Sequence, residues 1–477
     1  MKSEEYHLRV ERASFEPMFR MGKGYYALVA LLFLVLAWGV YAWVYQYRNG
    51  LIVTGMRDKV FWGVYIVNFV FFIGISHAGT FIAAVLRVTN QEWRRPVTRI
   101  AEAMTVFSLI FGALMIIADL GRPDRILNLI IYGRFQSPLI WDVTAVTSYL
   151  VGSSVCLYLA LIPDIALARD RLADRPGFRR WLYTVMAAGW KGTPEQYRLL
   201  ETALTVMSVI IIAVMISVHT VVSWVFGMTM RPGWNSTIFG PYFVIGALFS
   251  GVAGVITIMA IIRKWYRMQD FITLEHFRKL GYLMMAVGLV YTYTTVAEYW
   301  TEYYKMEEGV RDLLAALFTG PYAGMFWSWA LPGTLVPILL VGLPWTRNMA
   351  GITVASILVN IGMWIKRLVI VVPSIALPQV PYAWGFYRPT WVELSILAGS
   401  FAGFTLLYAV FIKLFPIIPI WEMVETGTAL APDPRAAGEP RRMLAPAPAP
   451  APALSRYSGA SLSGAGRPEL MSRSEGS

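Results

Sequence analysis

What most limits the fold of this chain is the recurrence of apolar runs of about 20 residues, each long enough to cross a hydrocarbon core as an α-helix. Ten stand out, at residues 25–45, 60–86, 100–118, 143–163, 203–226, 241–262, 280–300, 322–342, 349–372 and 392–415. A bilayer offers no water to an unpaired backbone amide, so runs of this kind predict an all-α integral membrane protein. Only 15% of residues are charged, against about 25% in a soluble chain. The placement of polar residues suggests two four-helix bundles, spans 2–5 and 6–9, with spans 1 and 10 peripheral to them. The third and seventh spans both end in an acid, Asp119 and Glu298, and the fifth and ninth carry His219 and Lys366–Arg367 about two thirds of the way along.

Three regions follow from this pattern: a polar N-terminal segment 1–24, a transmembrane domain 25–415 and a tail 416–477. No cleavable leader is predicted, since a polar stretch precedes a first span that is itself long enough to cross. The segments on the N-terminal side of the spans hold 22 Lys and Arg, and the opposite loops hold 10. The positive-inside bias therefore places both termini in the cytoplasm. It also accounts for the net charge of +12 without a nucleic-acid partner. In the longest inner loop, Phe178–Arg179–Arg180–Trp181–Leu182 fits either a segment lying among lipid headgroups or an ordinary loop. The tail, with its alternating run Ala445–Pro450, has too few apolar residues to bury a core and is expected to be largely disordered.

Ionisable groups within spans cost about 2.5–3.5 kcal/mol at the membrane centre on insertion scales, so each one calls for a reason. Most fall on the side away from the termini. Asp119, Arg122, Asp124 and Asp142 flank the third and fourth spans, His219 lies in the fifth, Tyr242 opens the sixth, Glu298 and Glu302 close the seventh, and Arg367 sits in the outer part of the ninth. Interfacial solvation, capping or snorkelling would explain each of them singly. His77 and Glu102 lie deeper and nearer the inner face, where they can begin a proton route with Lys366 further on; a core histidine bonded to a carbonyl is the alternative.

A single cysteine, Cys156, excludes disulfides and thiolate-held iron–sulfur clusters within the chain, and four histidines leave few ways to hold a metal. Counted along their spans, His77 and His219 differ in depth by about 15 Å, which argues against one haem bound between them. The expectation is no haem, no cluster and no metal. Redox chemistry would then require a diffusible carrier beside a partner's cofactor. A quinol suits such a site, because it sheds two protons with two electrons and needs acceptors such as Asp, Glu or His near water, with an apolar groove for its tail.

Several motifs resemble the NrfD/PsrC family of membrane subunits. They include Asn68–Phe69 through Ser76–His77–Ala78–Gly79, Trp93–Arg94–Arg95–Pro96, Asp119–Leu120–Gly121–Arg122–Pro123, Ser217–Val218–His219–Thr220, Gly240–Pro241–Tyr242–Phe243, and Asn360–Ile361–Gly362–Met363–Trp364 with Arg367. The ten-span form looks most like the two related large membrane subunits of bacterial alternative complex III. That resemblance implies a bacterial inner-membrane subunit, not a catalyst on its own, in a menaquinol:electron-acceptor oxidoreductase. Its implied partners are membrane lipid, a periplasmic iron–sulfur protein, haem c subunits and a paralogous membrane subunit. It places menaquinol/menaquinone at the outer end of the first bundle, where Asp119, Arg122, Asp142 and His219 fall. Among the outer residues, Asp119, Asp142, His219 and Glu298 are the expected proton acceptors or relays, and Arg122, Asp124, Tyr242 and Arg367 the expected pocket lining. One departure stands out: the quinol-oxidising paralogue commonly has histidine where this chain has Asp119. This favours the sister subunit, with a proton-conducting or scaffolding part, and leaves both roles open.

Two other classes compete. A proton-coupled secondary transporter would show broken helices facing each other across a repeat; Pro332 and Pro337 interrupt the eighth span without a matching pair in the fourth. A purely structural anchor gives no reason for His77, His219 and Lys366–Arg367 to lie within spans. A topology reporter fused after Ser477 should be active only if it tolerates the cytoplasm; a signal from a periplasm-only reporter would reverse the orientation.

Overall fold

A computed structural model describes residues 2–19, 21–173, 177–378 and 383–429. Ten helices are long and apolar enough to span a membrane: Lys23–Asn49, Val64–Val88, Glu92–Asp119, Pro138–Arg171, Pro194–Gly227, Phe239–Trp265, Leu274–Lys305, Ala323–Gly342, Met349–Ala376 and Trp391–Leu414. They match the ten predicted runs one for one, and no strand forms among the described residues. The helices outlast the apolar runs because their polar ends continue into the interfaces. Between the seventh and eighth spans the outer connection folds into a further helix, Glu308–Phe318, which apolarity alone did not reveal.

Spans two to five pack as one bundle and spans six to nine as a second, joined along spans two and six with span nine also against span two. This central position shows in the sequence of span two: every residue from Val64 to Thr80 is buried, so the helix has no polar stripe. Spans one and ten pair with each other outside the bundles. Their crossing rests on two glycines, since a Cβ on Gly39 would lie 2.9 Å from the Gly399 Cα. Small residues permit such close approach in lipid, where packing rather than water exclusion draws helices together. The other sides of span one expose Leu31, Phe33, Leu34 and Trp38, as expected of a helix facing acyl chains.

Two spans contain a π turn, Phe81–Val85 in span two and Leu331–Leu335 in span eight. In span eight Pro332 lacks the N–H that a regular ladder needs. In span two the Ser76 carbonyl accepts Thr105 Oγ1 at 2.8 Å and Tyr149 OH at 3.2 Å, so side chains from spans three and four compete for a ladder acceptor just before the turn. The two turns are not at equivalent places in the two bundles, which removes the facing pair of broken helices that a transporter would use.

The inner end of the first bundle is closed by ion pairs. Arg99 and Asp164, each 1% exposed, form a buried pair between spans three and four. Asp164 also accepts the backbone N–H groups of Ile420 and Trp421 at 3.1 and 3.2 Å. Glu422 takes Arg87 at 2.7 Å and Arg94 at 3.0 Å, and Arg95 donates to its carbonyl. These contacts bind the helix Ile420–Ala429 to the bundle, together with the N-terminal helix Lys2–Phe19. The expected domain boundary at 415 is therefore corrected: residues 416–429 belong to the packed unit, because buried arginines and Asp164 give the segment charged partners that its composition does not announce. The remainder of the predicted tail, 430–477, lies outside the described residues. In the longest inner loop, Phe178–Met186 is helical, with Phe178, Trp181 and Val185 exposed and the Tyr183 hydroxyl on the Leu414 carbonyl.

Burial alone would raise the Glu422 carboxyl, but the Arg87 and Arg94 guanidinium groups outweigh it and hold the group below the ordinary carboxylate range. A depressed folded value means that the stabilisation is complete above the ordinary carboxylate range and is lost as pH falls through the folded value. Glu422→Gln leaves two buried cations without their anion, at a cost of about 3–5 kcal/mol. Limited proteolysis should release the C-terminal helix of this variant at neutral pH and that of the parent only in acid. Identical cleavage profiles would contradict the clamp.

Candidate functional site

The two membrane-embedded histidines meet at the centre of the protein. Their ring centroids are 4.4 Å apart at 62°. This corrects the expected separation in depth. The helix begins at Val64 rather than 60, so His77 lies about 20 Å from its outer end, and the outer ends of spans two and five are not level. The depth argument against a haem held between the two rings therefore falls away. His77 Nδ1 lies 2.6 Å from the Ile73 carbonyl and Nε2 2.8 Å from the Met215 carbonyl. These contacts are those of the carbonyl-bonded core histidine: the ring is fixed between two helices, and two acceptors face its nitrogens. His219, by contrast, has no hydrogen-bond partner on either ring nitrogen. Its ring lies 5.0 Å from that of Phe243, which also carries the Arg367 guanidinium at 4.8 Å.

Arg367 is 1% exposed, with Nε and Nη2 unpartnered. At the junction of the bundles it packs against Gly74, one turn before His77, where a Cβ would sit 3.4 Å from Nη2. Spans two, five, six and nine therefore each bring one group to this junction. Below it, toward the inner face, a cavity of about 20 Å³, room for one water, is lined by Thr80, Glu102, Ser153, Cys156 and Ser208 among others. Glu102 Oε2 and Ser153 Oγ have no partner. Tyr149 bridges cavity and junction, with its hydroxyl 2.7 Å from Thr80 Oγ1 and its ring 5.2 Å from that of His77. Glu102 and His77 are thus brought to the two ends of one polar stretch.

The outer residues do not gather into one cluster. Asp119 ends span three beside the segment where Gln46 donates to the Ala118 carbonyl at 2.8 Å and accepts the Tyr65 hydroxyl. Asp142 is 8% exposed near the start of span four. Each carboxylate keeps an oxygen without a partner. Arg122 and Asp124 pair with each other on the surface, with side chains 58% and 39% exposed. They line no buried pocket; the Arg122 hydrogen bonds hold the Asp124 carboxyl below its ordinary range. Glu298, Tyr242 and Lys366 belong to the second bundle, where with Tyr299 and Glu302 they line an outer cavity of about 30 Å³. Lys366 Nζ donates to Tyr299 OH at 2.8 Å and lies 3.9 Å above the Trp329 ring. Tyr242 stacks on Tyr291 at 5.3 Å and 2°.

Sequence reasoning missed Tyr149, Tyr299 and Trp329, because aromatic residues in an apolar span read as ordinary core. The charges of Arg87, Arg94 and Glu422 were visible, but nothing local linked them. Among the described residues no three or more His, Cys, Asp or Glu converge as metal ligands would.

A ten-span, two-bundle membrane protein with buried titratable groups and exposed outer loops is the class that this geometry defines. The chain belongs to the NrfD family: residues 52–379 match the family described as polysulphide reductase, NrfD. A Halobacterium salinarum protein, named as a putative membrane subunit of dimethyl sulfoxide reductase, is 28% identical over 83% of this chain and 92% of its own. An Archaeoglobus fulgidus protein named Hdr-like menaquinol oxidoreductase integral membrane subunit is 26% identical over 84% and 96%. A third, the menaquinone reductase integral membrane subunit of Nitratidesulfovibrio vulgaris, is 22% identical over 82% and 91%.

The Lys366 cage depends on contact between spans eight and nine, where a Cβ on Gly333 would fall 2.5 Å from the Gly362 Cα. Gly333→Ala should push the spans apart at a cost of about 1–3 kcal/mol. A lower unfolding temperature in detergent is expected, with faster labelling of Lys366 by an amine reagent read by mass spectrometry. Unchanged labelling would mean that the cage does not depend on this contact.

Proposed function

We propose that the chain is the integral membrane subunit of a menaquinol-linked oxidoreductase of the alternative complex III type, in a bacterial inner membrane with both termini cytoplasmic. Its first bundle holds quinol at the outer end, and protons pass inward or outward along Glu102, Tyr149, His77 and His219. The observation that carries this reading is the pair of carboxylates at the outer ends of adjoining spans, half-buried Asp119 and buried Asp142, each with a buried oxygen that no group of the chain satisfies. A buried acceptor left open is costly, and a quinol hydroxyl is a donor that both fills it and gives up its proton there.

A second feature supports the partners. The loop between spans three and four exposes Leu127, Ile130, Ile131, Tyr132 and Phe135 beside these acids. An apolar patch of this kind on the outer side suits a docked protein, here the iron–sulfur protein that takes the electrons and passes them to haem c subunits. The names of the relatives from Archaeoglobus and Nitratidesulfovibrio, which specify menaquinol and menaquinone, favour this carrier. The assembly also includes a paralogous membrane subunit.

Removing the acceptors should slow the reaction without disturbing assembly. Asp119→Asn and Asp142→Asn, singly and together, are expected to lower quinol oxidation by the assembled complex by about 100-fold, the scale of a lost general base. The set of subunits seen on native gels should stay the same. Parent-like turnover in the double variant would remove the quinol site from this chain and leave it to the paralogue.

A further inference from the structure

The second bundle contains a buried acid and a buried base that share a cavity and do not pair. Lys366 and Glu298 are 1% and 4% exposed and line the same outer cavity. A lysine and a glutamate taken out of water would ordinarily close on each other, because each loses several kcal/mol of solvation. Here each is held back by its own neighbour. Tyr299 and the Trp329 face retain the ammonium, and the Ser236 hydroxyl donates to the Glu298 carboxylate. Between them lies a space of about 30 Å³, room for one or two waters.

The same cavity continues toward the surface by one helical turn. Glu302 follows Glu298 at i+4 on span seven, so both face one way. Its side chain is 4% exposed, and its Oε1 lies without a hydrogen bond, 4.0 Å from Lys305 Nζ. Lys305 is 43% exposed. Four titratable groups thus step from the core to the outer face. The other such groups at this site are Tyr299, which accepts from Lys366, Tyr242 and Tyr291, stacked across spans six and seven, and Arg367, adjacent to Lys366 on span nine. The covering helix Glu308–Phe318 turns only Val310, Leu313, Leu314 and Leu317 toward the cavity. Its lid is apolar, which leaves the acids as the polar way out.

We propose that this cavity is a proton-release site, separate from the quinol site in the first bundle. The ammonium of Lys366 gives a proton through water to the Glu298 carboxylate. The O–H bond then formed breaks as a cavity water carries the proton to Glu302, and the proton leaves beside Lys305 on the face opposite the termini. Lys366 is reloaded by a proton that the His219 imidazole at the bundle junction releases, beside the fixed charge of Arg367. The inference rests on the proposed quinol-linked function only for its driving force.

The test uses the whole complex in liposomes, with quinol turnover and outward proton release recorded together. In Glu298→Gln, Lys366→Met and Glu302→Gln, turnover across a membrane made leaky should stay within about twofold of the parent. Proton release should fall to the roughly one proton per electron that quinol oxidation itself yields. A parent already at that ratio, or variants that keep a higher parent ratio, would overturn the proposal. If the complex shows no quinol turnover at all, the functional reading fails, and the site is judged on the purified full chain. Infrared difference spectra between two pH values should then lose a carboxyl band in Glu298→Gln and keep it in the surface control Glu195→Gln. A spectrum unchanged by Glu298→Gln would overturn the site on its own.

Discussion

The structure depends on one constraint: a polar group inside lipid must find its partner within the protein. Span two meets the constraint most completely, since it is enclosed by other spans and carries Asn68, Ser76, His77 and Thr80 in its buried length. Asn68 donates to Ser400 Oγ on span ten at 2.8 Å, although its Oδ1 stays open. His77 is fixed by carbonyls of two helices, and Thr80 by Tyr149. These bonds lock span two to spans four, five and ten at set heights, and the bundles are arranged around it. Where the constraint is not met at titratable groups, among them Glu102, Asp119, Asp142, His219, Glu302 and Arg367, the open atoms mark places where chemistry can occur.

The fold was largely legible because the signal for a span is additive over about 20 residues and survives errors of a few positions. The bundle division was legible more faintly, through acids at equivalent span ends. The site was harder, for a definite reason. Depth along a span can be counted from sequence, but rotation about the helix axis and stagger between helices cannot, and these decide which side chains touch. Residue counting therefore separates His77 from His219, which meet in the structure. Arg122 and Asp124, next to a glycine–arginine–proline motif, satisfy each other on the surface. The aromatic cage of Lys366 has no sequence signature, because tryptophan and tyrosine in a span resemble packing residues until a charge is placed against them.

The two bundles share a plan and differ in how they handle charge. In the first, the polar groups lie near the inner face and at the centre, with oxygen-bearing side chains around a small cavity and two open carboxylates at the far end. In the second, the cavity is at the outer face and is walled by rings. The groups nearest the point of contact between the bundles are cationic or neutral: Arg367, His219 and His77. A guanidinium between them sets a positive potential at the crossing that favours electron-rich partners on both sides and gives the junction a polarity that neither bundle has alone.

The clamp on the inner end has a consequence for how the protein is made. Asp164 and the four arginines belong to spans two to four, which leave the ribosome early, while Glu422 and the amides of Ile420 and Trp421 come after the tenth span. Until that late segment arrives, Asp164 has only Arg99, and Arg87 and Arg94 have no anion from the C-terminal helix. Completion of biosynthesis is thereby written into the stability of the earliest bundle, so that a polypeptide released short of residue 420 would carry surplus positive charge at the end of the bundle nearest the termini.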